Sequence, residues 1–409
     1  MSTGGTGADT SAQAGRPLTG IFQAFLKLGL TSFGGPVAHL GYFHAEFVTR
    51  RRWIAERDYA DLVALCQFLP GPASSQVGIG IGISRAGLAG GLAAWLAFTA
   101  PSALLLIAFG YGTLALGDAV THDWLHGLKV VAVAVVAQAV WAMARTSAAD
   151  APRATIAIVA AVLVLAAPVP LIQAGVILAG GIVGWLMLKV PPQQEDSPPR
   201  FPRGGRRRAA VFLSVFVFLL IALPVAAAAF PNQALTLVDS FYRAGSLVFG
   251  GGHVVLPLLQ AEVVPPGWVS EERFLAGYGA AQAVPGPLFT FAAYLGTVMQ
   301  QSPSGWSGAL LCLLAIFLPS FFLVYGALPF WDVLRRRKAM QSASLGINAA
   351  VVGLLLAALY DPVWTSAIRS TADFGLALAA FLMLGIWHLP PWLVVILTAA
   401  GGASLALLL

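Results

Sequence analysis

Charge is scarce in this 409-residue chain: only 10% of residues are Asp, Glu, Lys or Arg, against about 25% in soluble domains. Hydrophobic residues make up 58% and the mean hydropathy is +0.82. A water-soluble core cannot absorb that much apolar surface, so the chain reads as lipid-embedded. Cysteine is almost absent. Cys66 and Cys312 both lie in apolar runs, which excludes a disulfide framework, a Cys-rich zinc site and an iron–sulfur site. No Walker A or Rossmann glycine pattern occurs, so nucleotide chemistry has no foothold. No cofactor is expected. No nucleophile–base set appears, which disfavours a membrane-embedded enzyme. His122 and His126 flank Asp123 at helical spacing but lack a third strong ligand, so no metal site is expected. The net charge of +6 sits mainly at segment ends, where membrane proteins anchor on the cytoplasmic side; it does not point to nucleic acid. Residues 1–17 lack the basic start and apolar stretch of a signal peptide and read as a disordered tail.

Long apolar runs are what the sequence has instead. A spanning helix needs about 20 mostly apolar residues. Candidates fall near 20–48, 87–115, 123–146, 153–167, 170–189, 209–229, 235–262, 305–330, 341–359, 366–388 and 390–409. Stretches 59–84 and 272–299 are apolar but broken by Pro-Gly-Pro, and either crossing or re-entry is open for them. Residues 190–208 are Pro- and Arg-rich without apolar periodicity. They read as a flexible linker, on the cytoplasmic side by their arginines.

An internal repeat organises the chain. Phe25, Gly29, Phe33, Gly34 and Gly35 match Phe241, Gly245, Phe249, Gly250 and Gly251 at a shift of 216. Gln67 and Pro70-Gly71-Pro72 match Gln282 and Pro285-Gly286-Pro287 at a shift of 215. Lys27 matches Arg243, Glu46 matches Glu262, Pro101-Ser102 matches Pro319-Ser320, and Pro170 matches Pro390. The expected fold is all-α and polytopic: two homologous repeats of about five to six helices each, plus a linking helix at 209–234. The repeats would span 18–189 and 235–409. With equal even crossing counts, the linking helix inverts the second repeat, and the loop charges partly alternate as inverted repeats require. Arg50, Arg51 and Arg52 do not fit if 20–48 and 59–84 each cross once.

The motifs suggest an anion site. Pro70 stops a helix and Pro72 suits the first position of the next. The N–H groups of Ala73, Ser74, Ser75 and Gln76 would then lack intrahelical partners, and a helix start carries about half a positive charge. Ser74, Ser75 and Gln76 add side-chain donors. The second copy continues with Leu288, Phe289 and Thr290, a poorer cradle. A packing kink is the plain alternative. Gly34, Gly35 and Pro36 would thin a helix along a substrate path or serve close helix contact. Lys27, Lys129 and Arg243 would supply positive field, or anchor at the interface. His39 and Glu46 are proton-carrier candidates, though Glu46 also suits pairing with an arginine.

FGGPVAHLGYFHAEFV, RRRWI and YADLVALCQFLPGPASSQVGIGIG, with FGGGHVVLPLLQAEVV and AQAVPGPLFTFAAYLG in the second copy, closely resemble the chromate ion transporter family in its long-chain, two-domain form. The likeness covers about residues 18–409. It implies proton-motive export of chromate from bacterial cells, through a multi-pass inner-membrane protein whose domains have opposite orientation. The family motif falls on Gly34, Gly35, Pro36, His39, Gln67, Pro70, Gly71, Pro72, Ser74, Ser75 and Gln76. The expected partners are a chromate or sulfate-like dianion, protons and the lipid bilayer, and a homodimer is compatible with the reading. The alternative cargo is sulfate or a related oxyanion, with import as the alternative direction.

Overall fold

The computed structural model describes residues 9–167, 169–189, 205–334 and 337–408. The side chains of 9–17, 117–124, 332 and 405–408 lie outside that description, and so does most of the linker expected at 190–208. The described chain is helical throughout, and six of its helices are long and apolar enough to cross a membrane. The first helix, Asp9–Thr31, begins inside the stretch expected to be a disordered tail.

Each repeat opens with two helical hairpins, and simple arithmetic shows that they fold back. In the first, Asp9–Thr31 is followed by Gly35–Phe43 and the π-helical His44–Arg50. Phe25 packs on Phe43 and Phe47, with ring centroids 5.6 and 4.7 Å apart. On one straight helix, residues 18 apart would be separated by about 27 Å. In the second hairpin, a Cβ on Gly80 would touch Leu62 at 2.7 Å, across Pro70-Gly71-Pro72. The third hairpin joins Gln233–Leu247 to Val255–Val263, and Arg243 reaches Glu262 at 2.9 Å. The fourth joins Glu271–Ala281 to Phe291–Val298. There Gly277 lies so close to Tyr294 that no Cβ fits. The stretches expected to cross at 20–48 and 235–262 are therefore hairpins.

Each pair of hairpins leads into longer helices. Backbone that is continuously helical from Ala73 to Ser147 is not one rod. Gly87 has φ +61°, and Gly82 lies backbone to backbone against Gly90, so 88–116 turns back along 73–86. Gly296 and Gly308 make the equivalent contact in the second repeat. Only glycine lets two helices approach so closely. Pro101 and Pro319 lie inside the returning helices at equivalent places.

The repeats interlock. Gly127 packs on Thr398 and Ala399, while Gly346, its counterpart, packs on Gly180 and Gly184. Each repeat thus buries a central helix against the last helices of the other. These two central helices run antiparallel. Lys129 and His126, at the start of Leu125–Ser147, meet Glu272 and Asp373, and Glu272 also meets Arg369, just beyond the end of Lys338–Ala367. Met143, near the end of the first helix, instead sits with Asn348 and Val351 around Gly250. Equivalent helices in opposite directions are what inverted repeats produce.

Outside the spans, Asp150 caps Ala151–Ala166 by accepting from the Arg153 backbone N–H at 2.9 Å. That bond and the Arg153 guanidinium hold its carboxyl below the usual range.

Candidate anion site at the crossing of the hairpin tips

The four hairpin tips meet between the repeats through a reciprocal exchange. The Gly71 N–H donates to the Val248 carbonyl at 2.7 Å, and the Gly286 N–H donates to the Ser32 carbonyl at 2.9 Å. Each Pro-Gly-Pro tip is thereby tied to the Phe-Gly-Gly tip of the other repeat. Gly71 has φ +119° and Gly286 φ +98°, a region that favours glycine. The Ser320 Oγ lies 3.0 Å from where a Gly71 Cβ would be, and the Ser102 Oγ 2.9 Å from the same point on Gly286. Proline on either side ends the helices and withholds N–H donors, which forces this backbone to bond across the interface.

Beyond their second proline the two Pro-Gly-Pro tips diverge. After Pro72 a regular helix starts at Ala73. The Gln76 N–H closes its first turn on the Pro72 carbonyl at 2.9 Å, so the open backbone donors are those of Ala73, Ser74 and Ser75. After Pro287 the chain tightens into a 3-10 turn, Leu288–Thr290. The Thr290 N–H and hydroxyl both bond the Pro287 carbonyl, at 3.0 and 2.7 Å. The second tip thus uses the Thr290 N–H and hydroxyl locally.

Side chains sharpen the difference. Ser32, Ser75, Gln76, Thr99 and Ser320 are buried, and each holds a side-chain oxygen with no hydrogen-bond partner. Such an atom costs about 1–3 kcal/mol, and so many around one crossing call for a ligand. Gln76 presents an acceptor as well as a donor: its Nε2 donates to the Pro70 carbonyl at 2.6 Å, which leaves Oε1 unpartnered. Ser74 has a partner. His39 Nε2 lies 3.2 Å from the Ser32 carbonyl and Nδ1 lies 3.3 Å from the Ser74 Oγ. A carbonyl only accepts, so Nε2 carries the proton, and Nδ1 of the neutral ring accepts from the Ser74 hydroxyl. His39 also meets the Phe98 ring edge-on, 5.4 Å between centroids.

The expected site residues divide accordingly. His39, Pro70, Gly71, Pro72, Ser74, Ser75 and Gln76 come together at the first tip. Gly34, Gly35 and Pro36 form the adjacent tip, with φ +99° and +76° at the two glycines, and Pro36 faces Gly252. Pro285, Gly286 and Pro287 form the opposite tip. Gln67 is exposed on its helix, and Gln282 Nε2 bonds the Tyr278 carbonyl at 3.4 Å.

None of the three cations lines the crossing in the arrangement described. The Lys27 side chain is exposed. Arg243 is held by Asp239 and Glu262 at 3.0 and 2.9 Å. Lys129 pairs with Glu272 at 3.3 Å, which stands 13 residues, roughly 20 Å of helix, before Pro285. Glu46 accepts from Arg50 and Arg51 at 3.0 and 2.6 Å, so both members of the Glu46/Glu262 pair serve arginines. His126 bonds Asp373 at 2.8 Å; the His122 and Asp123 side chains lie outside the description.

Sequence reasoning missed Ser32, Thr99 and Ser320 as site residues. Ser320 left a signal, because Pro101-Ser102 recurs as Pro319-Ser320. Ser32 and Thr99 left none, since their counterparts are Val248 and Phe317. His253 was also missed; it bonds the buried Tyr278 hydroxyl at 2.8 Å.

Comparison with known proteins agrees with this architecture. The family model described as chromate transporter matches the chain twice, at residues 19–185 and 235–403. A chromate transport protein of Pseudomonas aeruginosa is 29% identical over 406 residues, covering 94% of this chain and 91% of its own. One from Cupriavidus metallidurans is 26% identical, covering 90% and 86%, and a probable chromate transport protein of Synechococcus elongatus is 25% identical, covering 93% and 94%. No solved structure gives a significant match. With both repeats matched and their tips interlocked, the chain belongs to the chromate transporter family.

Proposed function

We infer that this membrane transporter exports chromate, a tetrahedral dianion, across the bacterial inner membrane, driven by the proton-motive force. The observation that carries the reading is the pair of buried, unpartnered hydroxyls of Ser75 and Ser320 at the first Pro-Gly-Pro tip, beside the open N–H groups of its helix start. Serine and threonine hydroxyls, with open N–H groups at a helix start, suit oxyanion oxygens. The site holds the anion with neutral donors, since Arg243 and Lys129 are paired with carboxylates elsewhere and Lys27 is exposed.

Sidedness follows from charge. Arg51 and Arg85 both stack on Trp53, 5.1 and 5.2 Å from its ring, so the bases of the first two hairpins share one face. That face carries Arg50, Arg51, Arg52, Arg57 and Arg85 and is cytoplasmic by the positive-inside rule. As re-entrant hairpins, 20–48 and 59–84 no longer conflict with those arginines. Crossing then by 88–116, 125–147, 151–166 and 170–187 returns the chain to the cytoplasm. The helix Arg206–Ala229 takes it outside, where the hairpins of the second repeat enter. The central tips could thus be reached from either face in turn.

Energetics favour export. One charge moving through 100 mV is worth about 2.3 kcal/mol, so a dianion leaving an inside-negative cell gains about 4.6 kcal/mol. That supports roughly a thousandfold gradient at about 1.4 kcal/mol per decade. Protons would couple through His39, the titratable side chain bonded to the site. Neutral donors discriminate weakly between dianions of similar shape, which favours a related oxyanion such as sulfate as a second cargo.

The test is labelled chromate in energised everted vesicles, with and without an uncoupler and with excess sulfate. Accumulation abolished by the uncoupler is expected. Clamping the membrane potential and the pH gradient separately divides the driving force. Absence of accumulation, with sulfate uptake by right-side-out vesicles, would overturn both direction and cargo.

A further inference from the structure

Duplication gives nearly every position a counterpart against which it can be judged. Ser32, Gln76 and Thr99 correspond to Val248, Phe291 and Phe317, which carry no side-chain polar atom. Ser75 corresponds to Thr290, whose hydroxyl bonds the Pro287 carbonyl at 2.7 Å. The oxygens of Ser75, Gln76 and Ser320 therefore stand unpartnered at the first tip, and their counterparts at the second, Thr290, Phe291 and Ser102, are bonded or apolar. Ser32 and Thr99 lie on the segments that meet Gly286.

Ser320 stands apart because it belongs to the second repeat. Its counterpart, Ser102, donates to the Thr99 carbonyl at 3.1 Å. Ser320 makes no such bond, although it is fully buried. Its Oγ and the Gln76 Nε2 lie 3.0 and 2.5 Å from the same point, the place a Gly71 Cβ would take. A helical serine ordinarily satisfies its hydroxyl on a carbonyl three or four residues back, as Ser102 and Ser246 do. Ser320 leaves that option unused and turns its hydroxyl to the opposite repeat.

We propose that Ser320 is a substrate-binding residue: its hydroxyl donates to an oxygen of the tetrahedral oxyanion held at Pro70-Gly71-Pro72. The site is then composite, built by both repeats, and there is one per chain despite the duplication. Bound anion bridges the repeats, and their separation dismantles the site, which links release to the movement that opens it. This rests on the oxyanion reading of the first tip.

The experiment is equilibrium binding of labelled chromate to the purified full-length protein, for wild type, Ser320→Ala, Ser102→Ala and Ser75→Ala. Wild type should bind one chromate per chain. Ser320→Ala should raise the half-saturating concentration tenfold or more, and Ser102→Ala should stay within twofold of wild type. A Ser320→Ala protein within twofold of wild type, beside a strongly impaired Ser75→Ala, would remove Ser320 and spare the tip. Equal losses in Ser320→Ala and Ser102→Ala would mean packing, and would also overturn the proposal. Should Ser320→Ala fail to reach the membrane, Ser320→Cys, which keeps the volume and weakens the donor, takes its place with the same expected loss and the same overturning result. Two chromates per wild-type chain would also contradict a single composite site. Wild type that binds no chromate overturns the oxyanion reading itself.

Discussion

The two Pro-Gly-Pro tips share a backbone and differ in nearly everything that backbone holds. Both glycines sit at positive φ, and both donate to a carbonyl of the other repeat. One tip opens a regular helix with hydroxyls and N–H groups left over, and the other closes on itself through Thr290. Duplication thus supplied symmetry where the fold needs it, at the crossing, and lost it where a ligand would bind. A dianion between two identical cradles would be shared or would bind twice. On the proposed function, a second cradle with fewer free hydroxyls would give the anion a single resting place on a two-fold scaffold.

The largest effect should come from a pair that tests the scaffold. Arg243 and Lys27 are equivalent, but Arg243 neutralises Asp239 and Glu262, whose side chains are only 8% and 9% exposed. Arg243→Met leaves two buried carboxylates without a cation, at a cost of about 3–5 kcal/mol. Immunoblots of membranes should show little folded protein. Next come the tip glycines. Gly71→Ala and Gly286→Ala both force a Cβ into a positive-φ position, at about 1–3 kcal/mol each. Gly71→Ala also drives that Cβ to 2.5 Å from Gln76 Nε2 and 3.0 Å from Ser320 Oγ. Thermal melts should show similar losses in the two variants, whereas chromate binding should vanish in Gly71→Ala alone. Loss of binding in both would erase the distinction between the tips.

Much of this scaffold was legible in the sequence. Proline and glycine act locally, so the two breaks and their register could be read from residue types alone. Fold-back could not. Whether Phe25 meets Phe43 depends on which way the chain leaves Gly34, and no local rule sets that. The three arginines at 50–52 recorded the error, because they contradict a single crossing and agree with re-entry. Side-chain direction was equally hidden. Lys27 and Arg243 share a register, yet one points outward and the other into a carboxylate pair. Ser32 and Thr99 look like any helical hydroxyl, and only tertiary placement shows them without partners.

Smaller effects separate the tips by their side chains. Ser75→Ala with Gln76→Ala should abolish chromate accumulation in everted vesicles without loss of protein from the membrane. Thr290→Ala, the equivalent change at the closed tip, removes a local bond worth about 1 kcal/mol and should leave accumulation within twofold. Normal transport by the Ser75/Gln76 variant would dismiss the open tip as a binding site.

The smallest expected effect is also a sharp one. Lys27 lies in an apolar run at the position where the second repeat carries its paired arginine, and on register alone it should matter as much. Its side chain is exposed, however, and its long apolar stem can carry the ammonium to the membrane interface. Lys27→Met should therefore keep accumulation and half-saturation within twofold of wild type, and Lys27→Arg should match it. If Lys27→Met instead lost transport while Lys27→Arg kept it, a charge on the outer surface of the first hairpin would be needed in some state of the cycle. The two repeats would then share a functional cation after all, and the asymmetry would be confined to the tips.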